Sequence, residues 1–371
     1  MIASIINGVS PILISDLLIS SSHKPEEMRI PAVPDNLIKY LPDASGFYPF
    51  GVNQKSYILK KNVCVAFSGK VLYFKNFLED LKIFCKIYDL VDIDKLSLFL
   101  NEKKDETWEE FSFIIHLIVD YEQPTGIARY VHGNGHYKDT EMFGEIYSSG
   151  SGSEDFIIES LVQATFQTKE SNEYLRTVQI NAILICRLLC REWLSLYTVA
   201  NLWGGGFELV YVKNGIFHKA DRMTYVINHE KFDADGKLSF PKPQAIFHYR
   251  YHEDVLVITV VRPTGGEIEH SEEYYIIRSS NVHFEQFFVY PIDNHPMEKE
   301  DKIECDSSFS SITVAMGYVF EKDDIKFIPA SFHNGPDLHV MYVHENGITI
   351  KMKKYVNDLI VKAAEDAFPS L

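Results

Sequence analysis

At 371 residues the chain is too long for one ordinary hydrophobic core, so about two domains are expected. Hydrophobic residues make up 46% and aromatics 13%, which excludes global disorder. With 52 acidic against 36 basic side chains the formal charge is -16, and no basic run exceeds Lys60-Lys61 or the lysines of 351–354, which argues against a nucleic-acid partner.

The chain opens on two short, β-branched apolar runs, Ile2–Ile6 and residues 12–15, the second ending in the lone acid Asp16. Asn7-Gly8 between them is a strong hairpin signal, because both residues tolerate positive φ. A buried hairpin at the start of a chain needs something to hold it, since termini ordinarily fray. Residues 20–53 are polar and carry Pro25, Pro31, Pro34 and Pro42, and read as a covering loop with a short helix. Lys55 then leads into a buried strand over 63–67, closed by Ser68-Gly69. In residues 71–90 apolar side chains recur in steps of three and four (Phe74, Phe77, Leu78, Leu81, Phe84, Cys85), predicting an amphipathic helix that residues 93–100 extend.

Residues 111–120 read as a strand, 127–132 and 136–138 as a hairpin about Asn134-Gly135, and 142–149 as another strand. Residues 156–167 form a helix with Glu154 and Asp155 at its positive end. A long helix over 174–201, apolar on most faces, is expected to be buried. Cys186 and Cys190 share one of its faces, and with no His or third Cys beside them they are core residues and not metal ligands. Trp203-Gly-Gly-Gly206 stops that helix, and residues 207–212 and 216–219 make a hairpin about Asn214-Gly215. Gly204 to Gly206 form no phosphate loop, because no Lys-Ser or Lys-Thr follows.

Beyond Met223 the pattern becomes β-rich. Strands are expected at 224–228, 245–252, 255–261, 274–278, 284–290, 311–320, 325–328, 338–344 and 348–351, and a helix at 355–368. His248 and His252 share a strand face but lie roughly 13 Å apart, too far for one metal, and Asp233-Ala-Asp-Gly236 lacks the closing Glu of a calcium loop. His132 and His136 are turn residues. No cofactor or metal is therefore expected. An odd count of five cysteines without a framework reads as reduced thiols in a cytoplasmic chain. Pro11 and Asp16 argue against a signal peptide, and Arg187, Arg191 and Glu192 break the only run approaching membrane-spanning length. The expected partition is residues 1–222 and 223–371, the second a β-rich domain with a terminal helix.

The order of segments over residues 1–215 resembles a proteasome β-type subunit and the related bacterial ring proteases. The hairpin ending in Ser15-Asp16 resembles the family's opening strands. Gln54-Lys-Ser leading to Val-Ala-Phe-Ser-Gly69 looks like its lysine strand and first helix turn. Tyr147-Ser-Ser-Gly-Ser-Gly-Ser153 resembles the turn that opens its third helix, and Ala200-Asn-Leu-Trp-Gly-Gly-Gly206 its late Gly-Gly turn. The resemblance implies an α+β fold, a four-layer αββα sandwich of N-terminal nucleophile (Ntn) hydrolase type, and is silent on residues 223–371.

In that family an N-terminal Thr, Ser or Cys attacks an amide, with its own α-amine as base, a lysine lowering the nucleophile's pKa and an acid holding the lysine charged. Carried over by position, Asp16 is the acid, Lys55 the lysine, Ser151 the hydroxyl beside the amine and Gly69 the source of the oxyanion N–H. The nucleophile itself is missing: Met1 and Ile2 carry no attacking atom, Ser4 lies inside the strand, and Ala200 and Trp203 stand where the family has a second Asp and Ser. The expectation is a degenerate member acting as an assembly or interaction protein, self-associating or engaging a protein partner through the C-terminal domain. The alternatives are an active amide hydrolase with an unrecognised nucleophile, and a small-molecule binding module using the old cleft.

Overall fold

The computed structural model describes residues 1–6, 10–33, 36–41, 46–120, 126–162, 173–229, 231–232, 238–239, 243–252, 254–263, 270–277, 312–321, 324–333, 339–344, 347–352, 354, 358 and 360–362. The expected turns at Asn7-Gly8, 233–236 and 265–266, the strand at 284–290, Cys305 and most of the helix at 355–368 lie outside them. The chain is mixed α/β with several antiparallel sheets. It divides into two compact units, one built from Met1–Val178 and Ser195–Ala220, the other from Gln179–Leu194, Asp221–Ile277 and the C-terminal part.

In the first unit, β1 (Ile2–Ile6) and β2 (Ile12–Asp16) lie at the centre of a six-stranded sheet. The small strands β3 (Leu18–Ser21) and β4 (Tyr48–Val52) pair with each other in the stretch read as a loop, and a 3-10 turn covers Leu37–Tyr40. The prolines and serines around them hid this short pairing. Strands β5 (Ser56–Lys60), β6 (Val63–Gly69), β7 (Phe111–Ile118) and β8 (Ile127–His132) form an antiparallel four-stranded sheet. Helices α1 (Val71–Ile87) and α2 (Ile93–Lys103) cover one of its faces. Phe67 of β6 stacks on Phe74 at 5.0 Å and Phe77 on Phe113 at 5.0 Å, so the apolar stripe of α1 is spent on this sheet. Asp92 caps α2 through the Lys95 N–H.

Strands β9 (Gly135–Thr140), β10 (Gly144–Ser149), β11 (Phe207–Lys213) and β12 (Ile216–Lys219) complete the larger sheet in the order β12-β11-β2-β1-β10-β9. The β8–β9 hairpin passes from one sheet to the other. The two sheets face each other across Ile2, Leu13, Cys64, Ala66, Ile114, Val210 and Phe217, all buried. Burial of these β-branched and aliphatic side chains, at about 25 cal/mol per Å² of apolar surface, holds the faces together. Helix α3 (Ser153–Val162) packs against β9 and β10. The long helix expected over 174–201 is divided into α4 (Glu173–Ser195) and α5 (Tyr197–Ala200) at Leu196, which takes a left-handed φ of 56°. A β-carbon disfavours that conformation, so the break is not one that residue type or periodicity announces.

In the second unit, β13 (Met223–His229), β16 (Pro243–His252), β17 (Val255–Pro263), β18 (His270–Ile277), β19 (Ile312–Glu321) and β20 (Asp324–His333) form a sheet in the order β18-β17-β16-β13-β19-β20. The pairs β14 (Lys231–Phe232) with β15 (Leu238–Ser239) and β21 (His339–His344) with β22 (Gly347–Met352) are separate two-stranded ribbons, and β22 packs against β16 and β18. The α4 residues of this unit pack on the large sheet: the Cys186 thiol lies 3.8 Å from the Val314 carbonyl, and Trp193 meets Phe247 edge-on. Both helix cysteines are wholly buried, and burial pushes their thiols up, Cys190 well above the usual range.

Candidate functional site

Strand β1 brings Met1 to the end of β2, where the Asp16 N–H donates to the Met1 carbonyl at 3.1 Å. Asp16 is fully buried and organises what surrounds it. Its Oδ1 accepts from the Met1 nitrogen at 2.6 Å and from Lys55 Nζ at 2.5 Å, while Oδ2 accepts the Gly204 N–H at 2.8 Å. Lys55 precedes β5, and its carbonyl accepts the Phe67 N–H of β6 at 3.0 Å. Its side chain is 12% exposed, and Asp16 is the partner of its ammonium group.

Burial pulls the Met1 amine down to about 5; the Asp16 carboxylate opposes that shift and the Lys55 ammonium adds to it. At neutral pH the amine is therefore uncharged and donates a hydrogen bond to a carboxylate whose counter-ion is Lys55. A neutral amine beside a lysine-carboxylate pair can accept and hold a proton. The residue that carries it ends in a thioether, which has no attacking atom at this position.

A second buried acid, Glu208, supports this arrangement from β11. Its register partner on β2 is Ser15, one residue from Asp16. Glu208 accepts from the Lys55 and Ser56 N–H groups at 2.7 and 3.1 Å, from Ser15 Oγ at 3.2 Å and from Lys219 Nζ at 2.6 Å. It thereby fixes the backbone of the residue whose side chain pairs with Asp16. The sequence signal was one acid in the apolar run Phe-Glu-Leu-Val, a position that burial permits only to a well-partnered carboxylate.

The other two residues expected at the site are Gly69 and Ser151. Gly69 ends β6 exposed, at a φ of 103°, and a Cβ there would lie 2.7 Å from the Glu110 carbonyl oxygen, so only glycine fits. Ser151 is exposed on its turn and makes no hydrogen bond with Met1, Asp16 or Lys55. Ser68 is buried at this end of the sheets, and its Oγ has no hydrogen-bond partner among the described residues. A Cβ on Gly150 would stand 2.7 Å from that Oγ and 3.6 Å from Met1 Cα, so Ser68, Gly150 and Met1 converge. Trp203 is fully buried directly under Gly152 and occupies the ground beside the turn that supplies the Gly204 N–H. Among the described residues no group of three or more His, Cys, Asp or Glu could hold a metal ion, and no helix is long and apolar enough to cross a membrane.

A scan against protein-family models finds no match for this chain, and a search of curated proteins finds none.

Proposed function

We propose that the first unit is an αββα sandwich of Ntn-hydrolase type whose site has lost its nucleophile, and that the chain acts as a non-catalytic assembly or interaction protein. The observation that carries this reading is the convergence of the Met1 nitrogen and Lys55 Nζ on one oxygen of the buried Asp16. On this reading the three groups are the base, lysine and acid of an N-terminal nucleophile site around a residue without a nucleophilic side chain, and their convergence supports it. Two facing sheets, with α1 and α2 on one and α3 against the other, supply the layers the reading needs. Trp203, packed under the Gly152 turn, adds to it by filling space with an apolar ring where the family places polar side chains.

The test is intact mass together with reactivity. The purified protein is expected to retain Met1, to leave fluorogenic peptides uncut and to form no adduct with peptide epoxyketones. A stoichiometric adduct, or a mature N-terminal Ser, Thr or Cys, would overturn the reading. Self-association is part of the proposal, because Leu72, Ile83, Ile87 and Leu98 leave an apolar-flecked helical surface. With -16 charges per chain, assembly should tighten as salt rises from very low values. Light scattering that gives a monomer mass at every salt and micromolar protein would remove it.

A further inference from the structure

His116 has no part in the site above, yet it lies at the seam between the two sheets of the first unit. It is wholly buried in β7 and reaches across to β1, where its Nε2 meets Ser4 Oγ at 2.7 Å. Its Nδ1 is buried and has no hydrogen-bond partner among the described residues. Among the described residues no carboxylate pairs with it. On β6 its register partner is Cys64, a fully buried thiol; on β8 it is Arg129, whose guanidinium pairs with Glu145 of β10 at 3.0 Å. From β12 comes the Phe217 ring, 6.4 Å away, and Tyr147 of β10 lies beside Ser4 with its hydroxyl donated to the Gly133 carbonyl.

We propose that His116 is an acid-operated release point of the sandwich, at which charging the imidazole parts β1 from β7. With both ring nitrogens protonated, the Nδ1–H has no acceptor among the described residues, and a cation stands beside Arg129 in a fully buried place. Open chain, by contrast, hydrates both nitrogens. Protonation therefore favours the separated sheets, and the strand that leaves is the one that carries Met1. Burial, with Arg129 adding to it, holds the ring's proton affinity down from its usual 6.5 to about 3. The ring is neutral in the closed state throughout the mildly acidic range, while the open state is charged there.

Cys64 reports the opening, because it sits opposite His116 with no exposure in the closed sandwich. The full-length protein would be labelled with 4,4'-dithiodipyridine, which reacts with thiols at acid pH, and the modified cysteine located by peptide mass mapping. Rates would be corrected with a small-molecule thiol. Between pH 7.5 and 4.5 the His116 contribution to opening is about a hundredfold, so His116→Gln, which keeps a partner for Ser4 but cannot charge, should lose about that much of the acceleration. Equal acceleration in His116→Gln and wild type would overturn the proposal, as would a Cys64 that stays protected at pH 4.5. If His116→Gln does not fold, the wild-type profile below pH 5 decides. There the Met1 amine is charged in both states and adds little, whereas the closed His116 ring is still neutral, so the labelling rate should rise about a further tenfold from pH 5 to 4; a rate that is flat over that interval would refute the mechanism. Epoxyketone reactivity does not enter these readouts, so the inference stands or falls separately from the proposed function.

Discussion

Asp16→Asn is the sharpest perturbation of the site. Both carboxylate oxygens of Asp16 act as acceptors, Oδ1 for the Met1 and Lys55 nitrogens and Oδ2 for the Gly204 N–H. An amide has one oxygen, so whichever way Asn turns, its NH2 points at another donor, an uncompensated buried contact worth about 1–3 kcal/mol. The substitution also strips Lys55, 12% exposed, of its counter-ion. Breaking one side of such a pair costs about 3–5 kcal/mol when the other side stays buried. Lys55 recovers part of that by moving toward solvent, so about 3–5 kcal/mol is expected in total. Lys55→Met should cost about 2 kcal/mol less. Without the ammonium the Met1 amine regains proton affinity, since Lys55 is one of the causes that lower it, and the amine can then neutralise Asp16. In urea unfolding followed by tryptophan emission, the double variant should be less destabilised than the two single losses combined, with at least about 2 kcal/mol of coupling. Asp16→Asn within about 1 kcal/mol of wild type, or strict additivity, would refute the reasoning.

The Met1 amine makes stability depend on pH in its own window. Its folded-state value is lowered from 8.0 to about 5, so between these values the unfolded chain binds a proton that the folded chain refuses. Stability should fall as pH drops from 8 to 5, by up to about 4 kcal/mol; denaturation of His116→Gln across that range isolates the effect, and a flat profile would disprove it. Gly152→Ala should destabilise by about 3 kcal/mol or more, because its Cβ would sit 2.2 Å from Trp203 Cγ at a φ of 74°. Gly46→Ala, at a φ of 70° with no atom of the described residues within 4 Å of its Cβ, carries the backbone cost, about 1–2 kcal/mol. The two melting temperatures, measured side by side, separate crowding from backbone strain.

Local patterns in the chain were strong where one physical cause dominated. The three-and-four spacing of Phe74, Phe77, Leu78 and Leu81 announced α1, because a helix buried on one side has no other way to place those rings. Asn214-Gly215 announced the β11–β12 hairpin, with both residues at positive φ. Asp16 and Lys55 could be named from their placement, and they meet at 2.5 Å. Three features were not legible. The short β3–β4 pair depends on cross-chain partners and has no periodicity long enough to read. Glu208 acts through atoms of Ser15, Lys55 and Ser56, which only folding gathers. Ser68 is buried against Gly150 and Met1 whereas Ser151 is exposed, because side-chain direction in a turn with positive φ on both sides of the residue, at Gly150 and Gly152, cannot be read from residue order.

The central position of β1 has a consequence for how the protein is made. Strand β1 is flanked by β2 on one side and by β10 on the other, and its partners in β10 run from Glu145 to Ser149. During synthesis its Ile-rich edge emerges early and then waits until Ser149 has been translated, on the order of ten seconds at 5–20 residues per second. The outer edge of β2 waits longer still, for Phe207 to Tyr211 of β11. Through that interval the nascent chain presents a hairpin of β-branched strands with both edges unpaired, the kind of template on which neighbouring chains aggregate. Slowing elongation between β2 and β11 lengthens this exposure, so yield in a heterologous host should depend on codon choice in that stretch more than on codon choice after it.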